Sequence, residues 1–400
     1  MKDLQEQLAR LSPDQRALLD QRLREKGLTL PSRNEIVPRS PDQPARLSFA
    51  QQRLWFIQRF DSGNTAYNIA AAIRLTGSLD AEKLTQSLNE IINRHESLRT
   101  GFLQDEAGDP YQAVRPQWHL EVPRLDLSGK QDVEAAARNH LHTLARRPFD
   151  LVDPPLRIQL LKLSEDQHIL SLITHHIACD RISVSVFLKE LVSLYEGKSL
   201  DPMSIQYADW AEWQRNQLQG EQLTKQLDYW KTRLADPLPN LELPTIDVPS
   251  PGDQIARKTP LCIDRELSQR IKRLAGECQV SLFSFLLATF KLFLHRYSGQ
   301  HDLVVGSEVA NREHPETTRM IGLLVNTLVF RTDIEGATTF EEMLKRVHNT
   351  VIGGLEHQDL PFEKLVEELN PTRDTDQLSP LFQVKFDLQP ISATPLTEMH

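Results

Sequence analysis

Cysteine is scarce in this chain, and what there is stands apart. Cys179, Cys262 and Cys278 are the only three in 400 residues, with no Cys-x-x-Cys pair among them. That spacing argues against a disulfide framework or a zinc signature. A basic excess is also missing: 46 Lys and Arg face 55 Asp and Glu, a net charge of −9. Phosphate backbones are met by basic faces, so nucleic acid is not an expected partner. No apolar run reaches the roughly eighteen residues that cross a bilayer. The opening, Met1-Lys2-Asp3-Leu4-Gln5-Glu6, lacks an apolar signal core. No membrane partner is expected, and a cytoplasmic location is. Neither a Gly-x-Gly-x-x-Gly or Walker loop nor a Gly-x-Ser-x-Gly elbow occurs, which removes the usual nucleotide sites and the usual hydrolase serine. No bound cofactor and no metal are expected.

What is present is a globular composition, 40% hydrophobic and 25% charged, in a chain too long for one ordinary core. Prolines cluster where linkers belong. Residues 1–30 read as a helical leader: Leu4, Leu8 and Leu11 share a face, Ser12-Pro13-Asp14-Gln15 is a helix start, and Gly27 a stop. Residues 31–45 form a Pro-rich linker, 46–236 a first lobe, 237–252 a second linker and 253–400 a second lobe.

In the first lobe, Ser48 and Gln51 have the spacing of a capping box. Residues 68–75 read as a strand. Asp80 caps a helix that carries Leu84, Leu88, Ile91, Ile92 and His95 on one face and runs to about Arg99. Residues 169–177 are nearly continuously apolar, as in a strand buried on both faces. A helix follows over 182–195, and 207–234 is one aromatic-studded helical stretch. The second lobe repeats this grammar. A helix over 281–297, stopped by Gly299, leads to strands at 303–309 and 323–331. A helix over 340–355, a short helix from Pro361 and a last strand at 381–388 follow. Strand and helix alternating in both halves predict an α/β (α+β) fold of two similar lobes, with a ligand cleft between them.

Chemistry is concentrated at one place, Leu172-Ile173-Thr174-His175-His176-Ile177-Ala178-Cys179-Asp180-Arg181. An imidazole at the mouth of a strand can take or give a proton near neutrality. Neighbouring side chains on a strand point to opposite faces, so one histidine packs into the fold and one faces the cleft. No further ligand sits at metal spacing. Asp180, in the turn after the strand, can fix the local backbone or pair with an arginine. Cys179 reads as a small packed residue rather than a thiolate nucleophile.

With these segments laid out, the chain resembles the condensation domain of non-ribosomal peptide synthetases. Ser48-Phe49-Ala50-Gln51-Gln52-Arg53-Leu54-Trp55-Phe56 is similar to the family's first motif and Arg94-His95-Glu96-Ser97-Leu98-Arg99-Thr100-Gly101-Phe102 to its second. The histidine stretch is the third. Tyr207-Ala208-Asp209-Trp210, Ile321-Gly322-Leu323-Leu324-Val325-Asn326-Thr327, His357-Gln358-Asp359-Leu360-Pro361-Phe362-Glu363 and Ser379-Pro380-Leu381-Phe382-Gln383 complete the series in order. The resemblance implies two chloramphenicol-acetyltransferase-like lobes in a V-shaped pseudo-dimer with an interface tunnel. It implies amide formation between two thioesters, each on the phosphopantetheine arm of a carrier domain. Upstream and downstream carrier domains and an adjacent adenylation domain are then the partners, and residues 1–30 a docking element for the upstream carrier. His176 becomes the tunnel-facing catalytic histidine and His175 its packed neighbour. Asp180 and Arg312 become a structural pair, and Arg94, Arg181, Asn326 and Ser307 border the tunnel.

The pattern is departed from in three places. Arg181 stands where the family usually has glycine, adding bulk and charge beside the tunnel. Glu308 and Asn311 stand where it more often has small apolar or glycine residues. The chain ends soon after the last motif, so the second lobe is expected to be truncated, with a strand edge left unpaired. A degenerate carrier-docking or gating module and an epimerisation domain are the alternative functions; His175 excludes the ring-forming variant, which has aspartate there.

Overall fold

The computed structural model describes residues 36–40, 44–244, 259–337, 339–369 and 381–389. The predicted leader, most of the first linker, residues 245–252 of the second, and Ser379-Pro380 of the last motif lie outside them. Met1–Pro38 and Arg39–His400 form two compact units, and every functional residue considered belongs to the second.

β1 (Ala45–Arg46) leads through Ser48 into α1 (Phe49–Phe60). The Ser48 hydroxyl accepts the Gln51 N–H, and the Gln51 side chain accepts the Ser48 N–H, both at 3.1 Å. The predicted capping box is closed. β2 (Asn68–Thr76) and α2 (Ala81–Arg94) follow, the latter capped by Asp80. The helix ends at Arg94 rather than near Arg99. A short 3-10 turn over Glu96–Arg99 carries the chain into β3 (Thr100–Gln104), β4 (Pro110–Val114) and β5 (Arg124–Asp126). α3 (Val133–Ala145), β6 (Leu156–Lys162), β7 (Gln167–His175) and α4 (Arg181–Tyr195) complete the part that bears the histidines. The stretch after it is two helices, α5 (Tyr207–Gln217) and α6 (Gly220–Arg233), broken at Leu218 and Gln219.

Beyond the second linker come α7 (Arg265–Glu277) and α8 (Leu282–Ser298). Ser281 caps α8, and Gly299 ends it at φ 73°, a left-handed conformation that glycine adopts without strain. β8 (Asp302–Val309), β9 (Asn326–Asp333), α9 (Phe340–Glu356) and α10 (Phe362–Leu369) follow. Residues 381–389 run extended along β8 and make a single parallel bridge, Lys385 to Gly306, instead of the predicted full strand.

Among the described residues the strands form three sheets, with orders β1-β4-β3, β2-β7-β6-β5 and β8-β9. Two large hydrophobic cores go with them, beside a smaller cluster of Leu127, Ala137, Leu161, Leu163 and Ile169. One packs Leu84, Leu88, Ile91 and Ile92 of α2 against Ile73, Leu170, Leu172 and Phe187, and it recruits Ile321 from far along the chain. The other gathers Trp230, Leu287, Leu303, Val305, Phe330, Leu344 and Val347. Each fully buried aliphatic side chain contributes about 1.5–3 kcal/mol. Among the described residues no single helix is long and apolar enough to cross a membrane.

Candidate functional site

The site is set by strand register. β2 and β7 pair antiparallel with Asn68 opposite His175, which makes His175 the last residue of the ladder. The next N–H, that of His176, donates to Tyr67 O at 2.8 Å. The strand therefore ends between the two histidines, and they part.

His175 is fully buried. Its Nδ1 accepts the Ile177 N–H at 3.1 Å, so the ring proton sits on Nε2, which has no partner among the described residues. The rings of Tyr67 and Phe149 lie 6.2 and 6.3 Å away. Burial, and secondarily the charge of His176, pull its pKa down to about 4, so near neutrality it is an uncharged brace for the turn. His176 is half-buried and lines a cavity of about 660 Å³.

That cavity is assembled from distant parts of the chain. Arg53 and Leu54 come from α1 and Tyr67 from the turn before β2. Leu323 and Val325 come from the segment leading into β9, Asn326 from its first position, and Phe362 and Glu363 from α10. Glu308 of β8 and Phe382 and Lys385 of the extended segment close it. Two ion pairs lie in the wall: Arg53 with Glu363 at 3.4 Å, and Lys385 with Glu308.

Asp180 is 2% exposed and saturated with donors. One oxygen accepts the Ser183 N–H and hydroxyl, both at 2.7 Å, which caps α4. The other accepts the Leu324 N–H at 3.2 Å. Arg312 Nη2 donates to both, at 3.0 and 3.1 Å, while its Nη1 donates to Thr317 O and Met320 O at 2.6 and 2.7 Å. The Ile321–Leu324 stretch is further held by Ser97 Oγ donating to Ile321 O at 2.7 Å and Tyr207 OH donating to Leu323 O at 2.9 Å. This bolts one wall of the cavity to the histidine-bearing half.

The remaining expected border residues divide. Asn326 lines the cavity, but its amide is committed: Nδ2 donates to Gln358 O and Leu360 O, both at 2.8 Å, and Oδ1 accepts the Phe362 N–H at 3.0 Å. Arg94 is not in the cavity wall. It donates to Glu190 at 3.2 Å and to Asp201 O at 2.6 Å, next to His95, which pairs with the same Glu190 at 2.7 Å. Ser307 is buried at 1% exposure, under Asp387 rather than on the surface of the cavity. Arg181 is an exposed first residue of α4 and no part of the lining. It is not among the residues with positive φ, so the turn there has no need of glycine. Asn311, by contrast, sits at φ 51°, where glycine would be at ease. Cys179 is buried and its thiol is pushed far up by desolvation, which makes it no nucleophile.

Tyr67, Arg53, Glu308 and Lys385 escaped sequence reasoning as wall residues. Arg53 and Glu363 belong to the first and sixth motifs, and that membership was an available signal. Glu308 stood out only as a departure from the family pattern, and Lys385, 77 residues away, had no signal.

The family profile described as Condensation domain matches residues 42–398. One component of the linear gramicidin synthase of Brevibacillus parabrevis is 43% identical over 377 residues, covering 91% of this chain and 5% of its own length. The chain thus spans a small fraction of the curated relatives it matches. Among solved structures, the X-domain from teicoplanin biosynthesis superposes with a TM-score of 0.76 at 26% identity, covering 88% of this chain and 79% of that one. The first condensation domain of the CDA synthetase gives 0.72 at 22% identity, covering 87% and 83%, a likeness of fold.

Proposed function

This chain belongs to the condensation-domain family, and on that footing we propose that it joins two carrier-bound acyl groups by an amide bond at His176. The observation that carries the reading is the position of His176: half-buried, just past the end of β7, in the wall of a 660 Å³ cavity built from both halves of the chain. The acceptor's amine nitrogen attacks the donor thioester carbonyl. The C–N bond forms, the C–S bond breaks, and the donor carrier leaves as its thiol with the proton the amine gives up. His176 takes that proton or holds the amine in line for attack. No hydrogen bond to its imidazole is present among the described residues, and its Nδ1 is buried, which leaves Nε2 as the nitrogen a substrate would meet. Proton transfer of this kind contributes about 10²–10⁴ in rate, and holding two tethered reactants together adds to it.

Both substrates arrive on phosphopantetheine arms of upstream and downstream carrier domains, with an adenylation domain alongside in a cytoplasmic assembly; the chain binds no cofactor of its own. The test is direct. Two aminoacyl-loaded carriers are incubated with the protein and dipeptidyl-carrier is followed by intact mass. His176→Ala should lower its rate by about 10²–10⁴. Undiminished product in that variant would remove His176 from the chemistry.

A further inference from the structure

The cavity that holds His176 has a mixed polar and apolar wall with two ion pairs in it, Arg53 with Glu363 and Glu308 with Lys385. Glu308 and Lys385 face each other there as an ion pair, each side chain 39% exposed. The pair is not needed to fasten the extended segment to β8. Gly306 N–H donates to Val384 O at 3.0 Å, Phe386 N–H donates to Gly306 O at 2.9 Å, and Asp387 accepts the Glu308 N–H at 2.6 Å. Nor are the two charges used up by each other. A carboxylate accepts at about four lone-pair sites and an ammonium carries three donors, and the contact between them consumes one of each.

A ligand group entering here must replace the water it displaces. An apolar side chain would desolvate both charges and return no hydrogen bond. A carboxamide offers an N–H to Glu308 and a carbonyl to Lys385 at once. We propose that Glu308 and Lys385 are specificity determinants, selecting a carried aminoacyl group whose side chain has both a donor and an acceptor over an apolar one of the same size. This rests on the acyl-transfer reading of the same cavity.

Asparaginyl and leucyl groups, nearly equal in shape, separate the cases. Each is offered first as acceptor and then as donor on carrier domains, with product read by intact mass. The stable asparaginyl and leucyl amides of pantetheine are titrated in parallel by calorimetry. Asparaginyl should be favoured at one of the two positions, and in binding, by about tenfold or more. Lys385→Met leaves Glu308 without its partner and should move the preference towards a lysyl side chain. Glu308→Gln leaves Lys385 and should move it towards aspartyl. Equal handling of asparaginyl and leucyl at both positions overturns the proposal. So does a uniform loss across all substrates in the variants, as a merely structural pair would give. Selective binding without any product would instead sink the acyl-transfer reading while leaving the selectivity in place.

Discussion

Arg312 reaches Asp180 across 132 residues of sequence and donates to both of its carboxylate oxygens. The two side chains are 6% and 2% exposed. Desolvated charges in this state depend on each other, because removing one strands the other. Asp180→Ala would also uncap α4 and leave the Leu324 N–H without its acceptor. We expect it to cost about 3–5 kcal/mol, read as a lower urea midpoint. Asp180→Asn keeps a capping oxygen and should lose less. Replacing both partners together, Asp180→Leu with Arg312→Met, should recover part of the loss. A midpoint unchanged in Asp180→Ala would contradict the bracing role.

His175 makes stability depend on acidity. Its folded pKa, about 4, lies below its ordinary value of 6.5. Between those values the unfolded chain binds the proton and the folded chain does not, so stability falls as pH is lowered through the window. At about 1.4 kcal/mol per pH unit, the full span is worth on the order of 3 kcal/mol. Melting followed from pH 7 to pH 4 should drop, and His175→Gln should flatten that drop. Equal slopes in the two proteins would show that other groups cause it.

The caps at Ser48 and Asp80 and the stop at Gly299 were legible because they are local chemistry, complete within four residues; the caps at Asp180 and Ser281 are equally local but were not read. The parting of His175 from His176 was legible from alternation along a strand; in the structure the ladder ends at His175, two residues before the expected end of the apolar run at Ile177, and the chain turns there. Arg312 came from family resemblance, since nothing in spacing ties it to Asp180. Arg94 and Ser307 were misplaced because a motif names a neighbourhood without saying which way a side chain turns; Glu190 and Asp387 decide that here. β3, β4 and β5 have five, five and three residues, too few to display a period. α7 carries Leu267, Ile271 and Leu274 at helical spacing, a stripe the sequence does display, although among its residues only Ala275 is buried.

Lys291 gives a second pH dependence, in the other core. Its ammonium end is fully buried and donates to Leu303 O, Phe330 O and Thr332 Oγ1 at 2.9, 2.7 and 3.0 Å. Burial pulls its pKa down to about 7 from 10.5. The unfolded chain therefore binds the extra proton between these values, and stability rises with pH across them. The difference in unfolding free energy between the protein and Lys291→Met should grow from pH 7 to pH 9. At neutral pH the variant should cost about 1–3 kcal/mol through the carbonyls it leaves unmet. A difference that stays constant with pH would mean Lys291 keeps its ordinary protonation.

Gly322, next to the cavity-lining Leu323, has no room for a side chain. A Cβ there would lie 1.9 Å from Tyr207 Cδ2 and 2.6 Å from its Cγ. Neither side can give way. Tyr207 is 1% exposed, with its hydroxyl donating to Leu323 O at 2.9 Å and accepting from Ser48 at 2.8 Å. The Gly322 N–H donates to Ser183 Oγ at 3.1 Å, and the Gly322 carbonyl, 3.0 Å from Ser183 Oγ, shares the hydroxyl proton with Asp180. Gly322→Ala should therefore destabilise by about 1–3 kcal/mol or more. It should also lower amide formation, because Leu323, the next residue, lines the cavity with His176. Tyr207→Phe keeps the ring and loses only its hydrogen bonds, about 1 kcal/mol. If the clash is the cause, adding Tyr207→Ala to Gly322→Ala should cost less than the sum of the single changes, a coupling a double-mutant cycle in urea would measure. Strict additivity would mean that the backbone at Gly322 absorbs the methyl group without pressing on Tyr207.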